Sequence, residues 1–204
     1  MEITQAHIKH LGTGKLMTAD LFDDIIDDHL EMWRSTWLPV IKQKQDEFDA
    51  QNIPKEQRLG DMHWNWDAKL TPYRGQLGLK AYALICEGRL QGMMQVSLIK
   101  HAILQEQLGK PVVFIDFLSS APWNRRDLTN TPEFGRIGSL LFRTAIRLSM
   151  EEGFRGRVGL SSLPQSIDFY RNACGMTECG CHPHYPALTN FEITADQAAV
   201  LLES

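Results

Sequence analysis

The chain has 204 residues, of which 43% are hydrophobic, so it is long enough to bury one sizeable core in a single domain. Its formal net charge of −4 argues against a broad basic surface for nucleic acid or an anionic membrane. No apolar run approaches the roughly 18 residues that span a bilayer. The absence of a signal-peptide pattern and the presence of only four cysteines predict a cytoplasmic protein in a reducing environment.

The first predicted element is an amphipathic helix that begins at Thr18, a residue type suited to the N-cap position. Three acidic residues follow where a helix N-terminus favours negative charge: Asp20, Asp23 and Asp24. An apolar stripe at helical spacing then comprises Phe22, Ile25, Ile26, Leu30, Trp33 and Trp37. Pro39 should end or kink this helix. Residues 40–60 are helix-compatible, and residues 60–78 mix aromatics with turn formers, which predicts a loop.

From Leu79 the sequence takes on the pattern of β-strands. Residues 79–86 and 89–100 predict a hairpin about a tight turn at Glu87-Gly88, although Glu-Gly is a poorer hairpin signal than Asn-Gly. The near-continuous apolar run at 111–118 is typical of a central strand that is buried on both faces.

The second half of the chain alternates helices with strands. A polar loop at 119–136 precedes a helix that Gly153 closes, and its apolar face consists of Ile137, Leu140, Leu141, Ala145 and Leu148. Further predicted elements are a strand at 157–163, a helix at 165–173 that starts after Pro164 and ends at Gly175, strands at 179–184 and 188–193, and a last amphipathic turn at 195–202. This order of elements predicts a mixed α/β layer fold.

A glycine-containing segment stands between the predicted central strand and the helix after it. It reads Glu133, Phe134, Gly135, Arg136, Ile137, Gly138, Ser139. Glycines let backbone amides approach a phosphate closely, and a helix N-terminus supplies unpaired N–H groups with a favourable dipole. The segment is therefore a candidate anion cradle, although a helix entry that merely contains glycines fits the same pattern.

A second group of residues lies about 20 positions further on. A strand that ends in Ser161-Ser162 leads to a helix with the pair Phe169-Tyr170 and an exit at Gly175-Met176. This combination resembles the GNAT superfamily of acetyl-CoA-dependent N-acyltransferases. The resemblance covers roughly residues 79–194, since 114–122 is similar to the family's central strand and 191–193 to its last strand. Residues 121–125 and 156–160 are also similar to an uncharacterised bacterial branch.

The resemblance implies a GNAT fold of the α/β (mixed α+β) class: a mostly antiparallel central sheet with a splayed parallel strand pair and flanking helices. It implies a single domain over residues 1–204, in which 1–78 form a helical acceptor-side part and 79–194 the acyl-CoA-binding core. The implied activity is direct transfer of an acetyl group from acetyl-CoA to a small-molecule or peptide amine. No metal, nucleic acid or membrane is implied, and a homodimer is possible.

The phosphate loop departs from the family's pattern, which is Gln or Arg, two residues, Gly, one residue, then Gly or Ala. Alignment on Gly138 puts Glu133 at the first position and Arg136 where the first glycine belongs. Arg136 could pair with a phosphate, but Glu133 would repel one unless it points away. Gly135 beside them could restore the close approach.

The resemblance also assigns residues to the coenzyme. Backbone amides at the end of the central strand would polarise the thioester carbonyl, and these belong to Leu118, Ser119 and Ser120. The remaining coenzyme contacts would come from Phe134, Gly135, Arg136, Ile137, Gly138, Ser139 and Phe169.

Two side chains are candidate catalysts. The phenol of Tyr170, with a reference pKa of about 10, would protonate a departing thiolate whose reference pKa is about 8.5; the alternative is a packed helix aromatic. Asp116 lies in an otherwise apolar strand, where burial should raise its pKa and make it a useful base near neutrality. The alternative for Asp116 is a structural carboxylate bonded to a loop amide or to an arginine.

Three further features carry possible binding groups. The loop residues His63, Trp64, Trp66 and Asp67 could line the acceptor site, or they could plug an edge of the core. The run 179–184 contains Cys179, Cys181, His182 and His184 but lacks the usual zinc spacing, which favours ordinary strand and turn residues. Pairs of aspartates at 23–24 and 27–28 are typical of a solvated helix face.

Two other classes of function stay open at this point. A non-catalytic module with a GNAT fold could bind acyl-CoA as a sensor or within an interaction surface, and the irregular phosphate loop favours it. An unrelated nucleotide-binding α/β domain is the third possibility, although neither the P-loop motif nor a strand-linked G-x-G-x-x-G is present.

Overall fold

The computed structural model describes residues 1–71 and 75–203. Its strands are β1 (Ile3–His10), β2 (Leu16–Phe22), β3 (Leu79–Cys86), β4 (Arg89–His101), β5 (Pro111–Ser120), β6 (Phe134–Gly135), β7 (Val158–Ser162), β8 (Thr177–Cys181) and β9 (Thr189–Ile193). Its α-helices are α1 (Asp27–Met32), α2 (Leu38–Ala50), α3 (Trp66–Leu70), α4 (Ile137–Glu151) and α5 (Ala195–Glu203). None of the helices in the described ranges is long and apolar enough to cross a membrane.

The strands form one mixed sheet in the order β6-β1-β2-β3-β4-β5-β7-β9-β8. The pairs β1–β2, β1–β6, β2–β3, β7–β9 and β8–β9 are antiparallel. The pair β5–β7 is parallel. The predicted fold class, a mostly antiparallel sheet with one parallel pair and flanking helices, is confirmed.

The chain divides into two compact units. The first consists of Met1–Gln76, Ala81–Met94 and Leu118–Gly138, and the second of Leu77–Lys80, Gln95–Phe117 and Ser139–Ser204. In the first unit the largest fully buried side chains are Trp33, Trp37, Trp66, Phe134, Ile8, Leu84, Leu90, Met93 and Met94. In the second they are Phe142, Phe191 and Leu141.

The N-terminal part differs from the sequence prediction. Residues 1–78 are not purely helical, because β1 and β2 form a hairpin and β2 pairs with β3, with Asp20 opposite Ile85. Thr18 therefore lies inside β2 and caps no helix; α1 begins at Asp27. The apolar stripe does become helical from Leu30 onward, and tertiary pairing with β3 decides the conformation of the residues before it.

Pro39 does not end the helix. The chain forms a π-helical turn at Trp33–Trp37, closed by the N–H of Leu38 donating to the Trp33 carbonyl, and α2 continues from there. Proline has no N–H for the carbonyl four residues before it, so a wider turn at this point is physically reasonable. The hydroxyl group of Ser35 in this turn donates a hydrogen bond to the carbonyl of Glu31, four residues earlier, at 2.7 Å.

The segment predicted as a loop at 60–78 contains the short helix α3. Asn65 caps this helix, since its Oδ1 accepts a hydrogen bond from the Ala68 amide at 3.0 Å. The prediction of loop overlooked this Asn-x-x-Ala signal. Residues 72–74, which belong to the same segment, lie outside the described residues.

The prediction succeeds for most of the chain after Leu79. The turn at Glu87-Gly88 is formed with positive φ values of 51° and 70°, as a two-residue hairpin turn requires. The helical segment after Pro164 is a 3-10 turn followed by a π-helical turn at Phe169–Ala173, a wider shape than the predicted regular helix.

Candidate active site

In the first unit, the buried carboxamide of Gln91 anchors the loop that leads to α4. Its Oε1 accepts hydrogen bonds from Trp123 Nε1 at 3.0 Å and from Asn124 Nδ2 at 2.9 Å. The Gln91 carbonyl accepts from the Ala121 amide at 2.9 Å. Asn124 Oδ1 in turn accepts from the Phe134 amide at 3.0 Å. A fully satisfied buried network of this kind fixes the path of residues 121–134.

The Glu133 carboxylate is paired with an arginine side chain. Both of its carboxylate oxygens accept from Arg89 Nη1, at 2.9 and 3.0 Å. The Arg89 guanidinium also lies 4.4 Å from the ring centroid of Trp123, a cation–π contact that holds it in place. The negative charge at the start of the predicted phosphate loop is therefore neutralised locally.

Backbone pairing to β1 holds the next residues of the loop. Phe134 and Gly135 form β6, opposite His10 and Lys9, and the Leu11 amide donates to the Glu133 carbonyl at 2.8 Å. The ring of buried Phe134 meets that of His10 edge-on, with 5.3 Å between centroids.

Arg136 stands directly before α4 in a left-handed conformation, with φ of 69°. Its side chain is exposed, and it forms no ion pair with any residue in the described part of the chain. Ile137, Gly138 and Ser139 then form the first turn of α4, where amide groups lack partners within the helix. A left-handed non-glycine residue is a strained conformation that is often found at functional sites.

Arg125 connects this loop to the region of the predicted acceptor residues. Its guanidinium bonds Asp61 through Nη1 at 2.5 Å and Nη2 at 3.1 Å, and it bonds Asp127 through Nη2 at 2.8 Å. Burial alone would lower the pKa of Arg125, but the two carboxylates raise it above its ordinary value. Such a bidentate, part-buried pair fixes geometry as well as charge.

The four predicted acceptor residues differ in exposure. His63 is exposed and Trp64 half-buried, whereas Trp66 is 1% exposed and belongs to the core of the first unit. Asp67 is half-buried and accepts from Arg34 Nη1 at 2.6 Å. In this conformation Trp66 offers no surface to an incoming molecule, so His63, Trp64 and Asp67 are the accessible members of the set.

Lys69 is a residue of this region that sequence reasoning missed. Its Nζ lies 4.7 Å from the ring centroid of Trp64, and burial lowers the pKa of its ammonium to about 8. A lysine with this pKa is neutral in roughly one molecule in ten at pH 7, far more than an exposed lysine. The aromatic residue five positions earlier, Trp64, was the available signal, but it does not reveal burial.

In the second unit, the parallel ladder is short. It joins Val113 to Val158, Phe114 to Gly159 and Ile115 to Leu160, and no further pair joins β5 to β7 among the described residues. A Cβ on Gly159 would lie 3.3 Å from the Phe114 ring, so glycine makes room for that ring. β5 continues to Ser120 and β7 to Ser162, beyond the last pair.

Asp116 is the first residue of β5 after the ladder ends. Its Oδ2 is buried and has no hydrogen-bond partner within the described ranges. Burial raises the pKa of this carboxyl to about 6, as the sequence predicts, although the Ser97 hydroxyl and the Lys100 ammonium act in the opposite direction. Ser97 Oγ likewise has no partner of good hydrogen-bond geometry among the described residues.

Leu118, Ser119 and Ser120 occupy the end of β5. Ser119 is buried, and its neighbours Leu118 and Ser120 are half-buried. Amides at a strand end are available to a ligand only where no neighbouring strand uses them.

Tyr170 lies within the π-helical turn Phe169–Ala173 and is 7% exposed. Its ring contacts those of Phe169, Phe142 and Phe191, with centroid distances of 5.0, 6.4 and 6.3 Å. Burial raises the pKa of the phenol, and Cys174 adds to this. Tyr170 therefore keeps its proton throughout the neutral range. Phe169 is half-buried beside it.

The Cys–His run at 179–184 forms part of β8 and the turn after it. The ring nitrogen of His182 accepts from the amides of His184 and Tyr185, each at 3.2 Å. Burial raises the pKa of the Cys179 thiol to about 11, which disfavours the thiolate that a metal requires. Within the described ranges, no three His, Cys, Asp or Glu residues are placed to hold a metal ion.

The described architecture is that of the GNAT acetyltransferases. A GNAT-family acetyltransferase from Listeria monocytogenes 4b F2365 aligns with a TM-score of 0.55 at 11% identity, over 92% of this chain and 99% of that one. FeeM, an N-acyl amino acid synthase from uncultured soil microbes, aligns with 0.55 at 11%, over 90% and 93%. The GNAT domain of S. lividans PAT aligns with 0.52 at 12%, over 94% and 96%.

Sequence comparison adds no closer relationship. No family model matches the chain, and no curated protein matches it significantly. At these identities the structural likeness shows the GNAT fold, and the fold predicted from residues 79–194 is confirmed. Substrate and reaction have to be argued from the residues themselves.

Asp116→Asn should stabilise the protein at pH 8. The folded-state pKa of about 6 lies above the usual value near 4. The unfolding free energy of the protein therefore falls as the pH rises from about 4 to about 6, because the buried carboxyl resists ionisation. The variant should gain roughly 1–3 kcal/mol in unfolding free energy at pH 8 and almost nothing at pH 4. Urea denaturation at both pH values measures this, with Asp168→Asn as an exposed control. A less stable Asp116→Asn at pH 8 would contradict an unpaired, buried carboxylate.

Proposed function

We propose that the protein is an N-acetyltransferase that moves an acetyl group from acetyl-CoA directly to an amine. The observation that carries the proposal is the anchored loop before α4, which corresponds to the pyrophosphate loop implied by the resemblance to the GNAT superfamily. Gln91 fixes its path, Arg89 neutralises Glu133, and Arg136 carries a positive charge that no carboxylate of the described residues pairs. Coenzyme A as the ligand and acetyl as the group are parts of the proposal.

The pyrophosphate would bind to the amides of the first turn of α4 and to the Arg136 guanidinium. Backbone N–H groups and a helix dipole favour an anion there, and a guanidinium can bond two phosphate oxygens. The contact residues would be Phe134, Gly135, Arg136, Ile137, Gly138 and Ser139, with Phe169 packing against the pantetheine arm.

The thioester carbonyl would be polarised by amides at the end of β5, those of Leu118, Ser119 and Ser120. Donors fixed in advance at the position of developing negative charge lower the barrier without reorganisation. The Tyr170 phenol would donate a hydrogen bond to the sulfur and release its proton as the thiolate forms. Because burial raises the pKa of Tyr170, this transfer occurs only once charge has built up on sulfur.

Asp116 would take the proton of the attacking ammonium, directly or through a water. With a pKa of about 6 it is largely ionised at pH 7 and still a stronger base than an ordinary carboxylate. An alkylamine has a pKa near 10.4, so only about one molecule in a thousand is neutral at pH 7 without a base. The acceptor would contact His63, Trp64 and Asp67, the accessible side chains of the loop before α3 and of its first turn.

Changes in the phosphate loop should weaken coenzyme A binding. Gly138→Asp introduces a carboxylate at the anion site and should abolish binding, and Arg136→Gln should weaken it about tenfold through loss of a charged hydrogen bond. Glu133→Gln should bind as the wild type does, because Glu133 faces Arg89. Calorimetry with coenzyme A measures all three, with Arg147→Gln on the exposed face of α4 as the control.

Unchanged affinity in Gly138→Asp would remove the pyrophosphate from this loop. If wild-type protein binds acetyl-CoA yet no amine of a broad panel accelerates thioester cleavage, the protein is a non-catalytic acyl-CoA-binding module of the same fold.

Tyr170→Phe should lower kcat by about 10²–10⁴-fold, the usual contribution of a positioned acid, and leave coenzyme A affinity unchanged. The substitution keeps the ring and its contacts with Phe142 and Phe191, so the fold should be retained. Thioester cleavage under saturating substrate is the measurement. A normal kcat in this variant would reduce Tyr170 to a packing residue.

Trp64→Ala should raise KM for the amine and leave coenzyme A binding unaltered, because it removes a half-buried wall of the acceptor loop. Steady-state kinetics with the amine as the varied substrate measure this. His63→Ala, at the exposed neighbouring position, should act in the same direction. Equal losses for both substrates would mean that this loop supports the fold and does not bind the acceptor.

A further inference from the structure

A cavity of about 220 Å³ lies in the second unit, at the end of the β5–β7 ladder away from Asp116. Lys110 immediately precedes β5 and Arg157 immediately precedes β7, so these two residues stand at the N-terminal ends of the parallel strands. The full lining consists of Glu106, Gln107, Lys110, Arg155, Arg157, Thr194, Ala195 and Asp196. None of these residues belongs to the loop proposed for the pyrophosphate.

Arg157 is a largely buried cation that pairs with no carboxylate in the described part of the chain. It is 7% exposed, its Nε donates to the Pro111 carbonyl at 3.1 Å, and its own carbonyl accepts from Ser149 Oγ at 2.8 Å. Within the described chain its two terminal nitrogens form no hydrogen bond or ion pair. Burial lowers the pKa of this guanidinium, and the adjacent charge of Arg155 lowers it further. An anionic ligand in the cavity would give this guanidinium the opposite charge that it lacks among the described residues.

Two more cations border the same cavity. Lys110 and Arg155 are exposed, and Arg155 is held in a left-handed conformation with φ of 58°. The carboxylates of Glu106 and Asp196 also line it, yet neither forms an ion pair with the three cations in the described structure. The cavity therefore carries a positive excess with exposed acidic groups at its border.

The N-terminus of α5 adds backbone donors. Thr194 and Gln197 cap this helix reciprocally, with Thr194 Oγ1 accepting from the Gln197 amide at 3.2 Å and the Thr194 amide donating to Gln197 Oε1 at 2.9 Å. The amides of Ala195 and Asp196 are left without an acceptor among the described residues, and both residues line the cavity.

A glycine holds α5 close to Arg157. A Cβ on Gly156 would lie 2.8 Å from that of Ala198, so only glycine allows this approach, and its φ of 81° also favours glycine. The helix N-terminus and the arginine therefore reach the same cavity because of this close packing.

We propose that this cavity binds a phosphate group, either as free phosphate or as the monoester of a small metabolite. Three cationic side chains and two free amides suit a doubly charged tetrahedral oxyanion better than a single carboxylate. The cavity has room for roughly seven water-sized groups, which is enough for a phosphate and a few attached atoms. The site is separate from the acetyl-transfer residues and would stand even if the protein had no transferase activity.

Calorimetric titration with inorganic phosphate, at neutral pH and fixed ionic strength, tests the proposal. Wild-type protein should bind one phosphate saturably. Arg155→Gln and Lys110→Gln, both at exposed positions, should weaken binding about tenfold each, and Arg157→Gln should abolish it. Arg147→Gln, an exposed arginine outside the cavity, should bind as the wild type does. Arg136→Gln should also keep the site, which distinguishes it from the proposed pyrophosphate loop.

A parallel titration with glycerol 3-phosphate identifies the source. Binding at least tenfold tighter than that of inorganic phosphate would indicate a phosphorylated metabolite, and equal or weaker binding would indicate the free ion. Circular dichroism and thermal melting of Arg157→Gln show whether it folds, and the two exposed variants decide the question if it does not. The proposal would be overturned if the wild-type protein showed no saturable phosphate binding, or if Arg155→Gln and Lys110→Gln bound phosphate as tightly as the wild type does. Tighter binding of succinate than of phosphate would also overturn it.

Discussion

The parallel pairing of β5 with β7 lasts for three residue pairs, and the candidate chemistry of the second unit depends on this short length. Beyond Ile115 and Leu160, the two strands no longer pair with each other in the described structure. The first side chain after that end is Asp116, one of whose carboxylate oxygens is buried without a hydrogen-bond partner among the described residues. At the opposite end, Lys110 and Arg157 precede the strands and direct positive charge into a cavity. The short ladder therefore has a carboxylate at one end and two cations at the other.

Ion pairs in the first unit decide which charges remain available to a ligand. Glu133 is neutralised by Arg89, and Asp67 is occupied by Arg34. Arg125 uses its whole guanidinium on two carboxylates. Arg136 stays unpaired in the described structure, so a loop that looks electrostatically mixed in the sequence presents a net positive charge. The irregular order of residues in this loop is thus compatible with anion binding.

Periodicity and turn chemistry were sufficient to predict α4 and the strands β3, β4, β5, β7, β8 and β9, with small differences at their ends, but the short strand β6 fell in a segment predicted as a loop. The mostly antiparallel sheet with one parallel pair was implied by the resemblance to the GNAT superfamily. They failed at β2, where Thr18 and the aspartates after it imitate a helix start while pairing with β3 sets the conformation. For the site, the loop before α4 and the raised pKa of Asp116 could be predicted because both depend on local sequence. The partners Arg89 and Glu133 are 44 positions apart, and Arg125 and Asp61 are 64 apart. Contacts over such distances leave no local pattern in one sequence.

The pairing of β6 with β1 is made by main-chain groups, and most side chains of β1 are exposed. Ile8, with 1% exposure, is the strongly buried exception. The proposed phosphate loop therefore depends mainly on an extended backbone at residues 3–10, together with the buried Ile8 and the ring of His10. Related chains could diverge widely at the exposed positions of this strand while keeping the loop in place. Residue-by-residue identity would then understate how much the N-terminal segment contributes to the shape of the proposed coenzyme site.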